Sequence, residues 1–137
     1  LQGIDVYQGF VYVTAGPDTG GSGDLVQVDV MTGQQKTIFH SPVATPNGVA
    51  VYNSSLLFFS DWSGGAIYAM NPDGGHASYF VSAPPEEGPT QLTIGLDTLY
   101  WGHNGGNIGS VNVNGSNPKM FTVGPCWGIA WCFSCVR

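Results

Sequence analysis

Charge is scarce in this sequence. Only 9% of its 137 residues are Asp, Glu, Lys or Arg, against the usual quarter or so. Three cations, Lys36, Lys119 and Arg137, stand against nine carboxylates, for a net charge of −6. No basic patch can be assembled from three side chains, which excludes nucleic-acid binding through an electrostatic footprint and adhesion to anionic membranes. No apolar run approaches the ~20 residues of a membrane span, and no segment keeps helical periodicity over the needed length. Cysteine is confined to Cys126, Cys132 and Cys135 in the last dozen residues. The common hydrolase signatures G-x-S-x-G and H-E-x-x-H are missing. The Gly-rich run from Gly16 to Gly23 is followed by neither a Lys-Ser/Thr pair nor a helix, so it is no phosphate loop. His40 and His76 are isolated and lack ligand spacing. The chain opens at Leu1 without Met or a signal-type apolar region, as expected of a processed or cut start.

What is present is 42% apolar residues with 21 Gly and 9 Pro, a mixture suited to many turns joining short strands. Gly33, Gly74 and Gly115 each end a turn and recur at intervals of 41 residues, as do Phe39, Phe80 and Phe121. Tyr12, Phe58 and Tyr100 recur at 46 and 42, the longer interval absorbing the insertion between Gly16 and Gly23. Each unit holds four strand-like segments. The first is 3–6, 48–51 and 91–94; the second 10–14, 56–60 and 99–101; the third 25–30, 66–70 and 107–113; the fourth 36–39, 76–81 and 119–123. Four antiparallel strands every ~40–45 residues define a propeller blade, a small sheet that becomes stable when neighbours cover its apolar faces. The expected fold is therefore all-β: about three blades, at roughly 3–46, 47–88 and 89–127, with the first strand of a fourth at 128–131.

Phe58-Phe59-Ser60-Asp61-Trp62, followed by Gly64-Gly65-Ala66-Ile67-Tyr68 and Asn71-Pro72-Asp73-Gly74-Gly75, resembles the YWTD repeat of the low-density-lipoprotein-receptor family. So does Leu99-Tyr100-Trp101-Gly102-His103 with Asn107-Ile108 and Asn114-Gly115-Ser116-Asn117 after it. Val11-Tyr12-Val13-Thr14 matches more loosely, and Ala15 and His103 stand where the motif has Asp. The resemblance implies half of a six-bladed ring. Thr45-Pro46-Asn47-Gly48-Val49-Ala50-Val51 is similar to the segment that supplies a metal-binding Asn in gluconolactonase-like propellers. That second resemblance implies a divalent cation such as calcium held by Asn47, and lactone hydrolysis; the other reading of Pro-Asn-Gly is an ordinary tight turn.

In a four-stranded meander, the loops joining second to third strands share one end with the connections between blades. That end carries Asp18, Asp24, Asn47, Asp61, Trp62, His103, Asn104 and Trp127, and is the expected ligand-binding face. Structural roles compete with that assignment: Trp62 as a cap on a blade edge, Asp61 as an acceptor for turn amides. The opposite end carries the sequons Asn53-Ser54-Ser55 and Asn114-Gly115-Ser116. Glycans at Asn53 and Asn114 would leave the first end open. Glu86 and Glu87, after Pro84-Pro85, read as an exposed rigid linker.

One disulfide among Cys126, Cys132 and Cys135 is expected, with one thiol left over; the odd cysteine is also a candidate link between chains. Three blades cannot close a ring, so the partners expected are a second copy, a filament, or the remaining blades of a longer chain. A secreted module that binds an extracellular protein or glycan, or assembles with itself, follows as the functional expectation. It requires no cofactor. The alternative is a divalent-metal-dependent lactonase or esterase.

Overall fold

The computed structural model describes residues 2–16, 22–83 and 88–123. These form three four-stranded antiparallel sheets. The first comprises β1 (Ile4–Tyr7), β2 (Phe10–Ala15), β3 (Gly23–Asp29) and β4 (Gln35–Ser41). The second comprises β5 (Pro46–Asn53), β6 (Leu56–Asp61), β7 (Ala66–Met70) and β8 (Ser78–Ser82). The third comprises β9 (Pro89–Gly95), β10 (Thr98–His103), β11 (Asn107–Asn112) and β12 (Lys119–Thr122). Each is a simple meander in chain order, which makes it a blade. The strand that follows Gly74 and Gly75 starts at Ser78 rather than His76, because both glycines hold positive φ and keep the chain in a turn. The segments proposed for a fourth blade, the three cysteines, Asp18, Trp127, Glu86 and Glu87 lie outside the described residues. Among the described residues no helix is long and apolar enough to cross a membrane.

Alternation along the strands decides which side chains meet across a blade junction. Phe58 and Phe59 are adjacent and both fully buried, so they point through opposite faces of the second blade. Phe59 packs with Tyr12, Leu25 and Ile38 of the first blade and Val49, Leu57 and Met70 of its own. Phe58 packs with Ala50 and Ile67 of its own blade and Leu92, Leu99, Trp101 and Val111 of the third. The core is thus two layers, one per junction. The recurring phenylalanines of the fourth strands seal the rims: Phe39 lies 4.7 Å from Phe59 between ring centroids, and Phe80 4.8 Å from Phe58. Contacts of this kind add to the area they bury.

Two of the two-residue hairpins have positive φ at both turn positions. Gln8 and Gly9 join β1 to β2, and Leu96 and Asp97 join β9 to β10, all four with positive φ. That is the tight turn whose twist matches the strands. Leu96 is an unusual occupant, since a Cβ disfavours this conformation and its side chain is 99% exposed.

Candidate functional site

The end of the blades that carries the β2–β3, β6–β7 and β10–β11 loops also carries the blade connections. Asp61 closes β6 there and is buried. Its Oδ1 accepts the Thr45 N–H at 2.9 Å and the Ser63 hydroxyl at 2.9 Å. The Trp62 N–H returns a bond to the Thr45 carbonyl at 3.0 Å, and the Val43 carbonyl lies 3.3 Å from the same Ser63 hydroxyl. Asp61 therefore fastens the connection from blade one to blade two onto the β6–β7 turn. Gly64 lies so close that a Cβ would strike the Asp61 carboxylate. The Trp62 indole lies where a Cβ on Gly88 would stand.

His103 occupies the position of Asp61 in the third blade and is almost wholly buried. Its Nε2 accepts the Trp101 indole N–H at 2.9 Å, which leaves the ring proton for Nδ1 because an indole only donates. Trp101 in turn lies against Gly109, where any Cβ would overlap the indole. Asn104, one residue on, is exposed.

Nearer the axis, a hydroxyl joins successive blades. Thr14 Oγ1 accepts the Gly3 N–H of its own blade and donates to the Asn47 carbonyl of the next. Ser60 Oγ repeats the device, accepting from Gly48 N–H at 2.7 Å and donating to the Thr90 carbonyl at 2.7 Å. Gly3 and Gly48 allow the approach, since a Cβ on either would strike that same carbonyl of the following blade. The register places Gly102 and Gln91 at the equivalent positions of the third blade. Gly102 has no hydroxyl to offer. Gln91 instead donates from Nε2 to the Gln2 carbonyl at 2.8 Å, linking the third blade back to the first.

The remaining expected residues are distributed around this frame. Asp24 pairs with His40, Nδ1 to Oδ1, at 2.6 Å on the exposed rim of the first blade. His40 and His76 line one cleft of about 350 Å³ between the outer strands of blades one and two. Asn47 is the second residue of β5; its carbonyl is engaged by Thr14, and its half-buried side chain makes no hydrogen bond among the described residues. Asn53 and Asn114 sit in hairpins at the opposite end, each with Oδ1 accepting the N–H of the serine two residues on. At that end the Tyr52 hydroxyl donates to Asp97. This bond, helped by desolvation and by the carboxylate's charge, holds the Tyr52 phenol above its usual range. Asp29 accepts the N–H groups of Thr32 and Met31, which hold its carboxyl below the usual range.

Calcium chemistry requires several oxygen ligands around one point. Among the described residues no three His, Cys, Asp or Glu converge as a metal site. Asp61, the nearest acidic companion of Asn47 in sequence, is committed to Thr45 and Ser63. The described residues do not fit a divalent cation by themselves. The structural device that the sequence did not announce is the Thr14/Ser60 clip, although both residues follow the Tyr12/Phe58 landmark by two.

No family model matches the sequence, and no curated protein sequence matches it. Solved structures do. A nidogen/laminin complex contains a chain that aligns with TM-score 0.76 and 18% identity over 90% of this chain and 49% of its own. A calcium-binding regucalcin from Agrobacterium tumefaciens aligns with TM-score 0.68 and 14% identity over 83% of this chain and 42% of its own. A catalytically inactive virginiamycin B lyase from Staphylococcus aureus, with quinupristin, aligns with TM-score 0.69 and 19% identity over 89% and 41%. The chain thus spans less than half the length of each. Both resemblances drawn from the sequence, to YWTD-type and to gluconolactonase-like propellers, are represented among these neighbours. At such identities the shared property is the fold, a β-propeller of which this chain supplies about three blades.

Proposed function

We propose that the chain is a non-catalytic propeller module, working outside the cell in protein or glycan binding or in assembly. The observation that carries this reading is the use of Asp61, Trp62 and His103. Each is the kind of side chain that does chemistry or grips ligands, and each is spent on holding a blade connection or a core ring. Contact with a ligand then falls to what stays accessible at that end: the Asp24–His40 pair, Ser63 and Asn104. Glycans at the sequons Asn53 and Asn114 would lie at the other end and leave this end open for binding. The nidogen/laminin neighbour makes a protein partner reasonable for such a surface.

The second reading is a divalent-metal-dependent lactonase, favoured by the uncommitted side chain of Asn47 and by the calcium-binding regucalcin neighbour. It needs carboxylates beyond the described residues. A thermal melt with and without calcium separates the two. At a hundredfold excess over Kd a specific site stabilises by about 2.7 kcal/mol. The binding module predicts no shift and no lactone hydrolysis; a calcium-dependent shift together with lactone hydrolysis, both abolished by Asn47→Ala, would establish the enzyme reading instead.

A further inference from the structure

The sheet of blade one has a second face, and its composition identifies what belongs on it. Register pairs Ile4 with Val13 and Val26, and Val6 with Val11 and Val28, so six β-branched apolar residues line one face of β1–β3. The same positions in blade two are Val49, Phe59 and Tyr68, with Val51, Leu57 and Met70; in blade three they are Leu92, Trp101 and Gly109, with Ile94, Leu99 and Val111. In those two blades the face is covered by the preceding blade: Val49 is 3% and Leu92 9% exposed. The equivalent Ile4 is 66% exposed and Val6 61%.

Both covered faces are met in one way. The incoming blade presents an aromatic ring (Tyr12, Phe58), a hydroxyl two residues later (Thr14, Ser60) and a glycine on its inner strand (Gly3, Gly48). The hydroxyl reaches the carbonyl immediately before the next inner strand's equivalent position, Asn47 or Thr90. The carbonyl at this position in blade one belongs to Gln2; it accepts the bond from Gln91 Nε2, and a carbonyl oxygen can accept a second donor.

From this repetition we infer that the Ile4–Val28 face is a docking surface for one further propeller blade that lies outside the three described. That blade carries an aromatic residue and, two residues on, a Ser or Thr whose hydroxyl bonds the Gln2 carbonyl. The inference deepens the assembly side of the proposed function and rests on it. A second copy of this chain is not the occupant. The outgoing face of blade three has Gly102 in place of the hydroxyl and Gln91 in place of the glycine, and its Ile108 and Ser110 are already buried. Assembly therefore has a direction: blade one accepts a blade, and blade three does not donate one by the same device.

The test places a second copy of residues 2–46 directly ahead of Gln2 in the full chain, so that Tyr12, Thr14 and Gly3 of the added copy face the native blade one. Hydrogen exchange resolved by mass spectrometry is read on 4–7 of the native blade. The expected result is at least tenfold slower exchange there than in the unextended chain, with most of the gain lost when Thr14→Val is made in the added copy alone. An added blade that is itself protected but leaves 4–7 unchanged overturns the inference. The unextended chain supplies the second measurement, its mass in solution with and without Val6→Asp. Equal masses are expected; an oligomer that Val6→Asp dissociates would make a second copy the occupant and overturn the inference, while leaving the assembly reading standing. Loss of all ligand binding at the loop end, by contrast, would bear only on the proposed function.

Discussion

Strands β2 and β6 hold equivalent places in adjacent blades, yet their burial differs. In β6 five successive residues from Leu57 to Asp61 are buried; in β2 burial alternates, with Tyr12 and Thr14 buried and Val11 and Val13 only half so. The sequences are similarly apolar. The difference is the number of neighbours: blade two is covered on both faces and the described part of blade one on one. A blade's stability is thus largely borrowed across its junctions, as in other stacked repeats.

Substitutions at paired positions break this comparison open. Phe59→Ala empties the first junction and is expected to cost about 3–5 kcal/mol. Val13→Ala, at the same position on the open face, is expected to cost about 1 kcal/mol or less. Urea denaturation of the two variants measures both, and equal losses would mean that the face of blade one is covered. Gly48→Ala drives a methyl into the Thr90 carbonyl and is expected to cost about 3 kcal/mol, read in the same titration. Ser60→Ala leaves the Gly48 N–H and the Thr90 carbonyl without their shared hydroxyl, for a loss of about 2 kcal/mol. Gly102→Ser, which restores a hydroxyl where no clip exists, should give no matching gain.

Away from the junctions effects shrink. Leu96→Gly relieves a positive φ without removing any packed side chain, and a rise of about 1 kcal/mol in stability is expected in a thermal melt. The titrations are smaller still. Because the folded state depresses the Asp29 pKa, its contribution is complete above the ordinary carboxylate value of about 4 and fades as pH falls through the depressed value. Because the folded state raises the Tyr52 pKa, its contribution is complete below about pH 10 and fades as pH rises through the raised value. Phenolate absorbance should show Tyr52 ionising later than free tyrosine, and at lower pH in Asp97→Asn.

The repeat was legible because it rests on turns and rims. Gly33, Gly74 and Gly115 hold positive φ at fixed intervals, Phe39 meets Phe59 of the neighbouring blade, and Phe80 meets Phe58 of its own. From these the all-β class and the four-stranded blades follow. The role of the loop-end residues was harder to read. An Asp after an aromatic pair looks alike as a ligand and as a clasp, and only the 2.9 Å bond from Thr45 distinguishes them. The hydroxyl clip escaped notice because Thr14 and Ser60 differ in identity and their partners are backbone carbonyls, which a sequence does not display. Gln91 could not be read at all: its partner lies 89 residues away, across another blade.

The most direct measurement is native-state hydrogen exchange of the unmodified chain, comparing 4–7 with 46–53. Both are the inner strands of their blades, and the apolar face of 4–7 lacks the cover that 46–53 has. The account predicts that 4–7 exchanges at least tenfold faster than the hydrogen-bonded amides of 46–53. Equal protection of the two strands would contradict it, since blade one would then already have a neighbour on its apolar face.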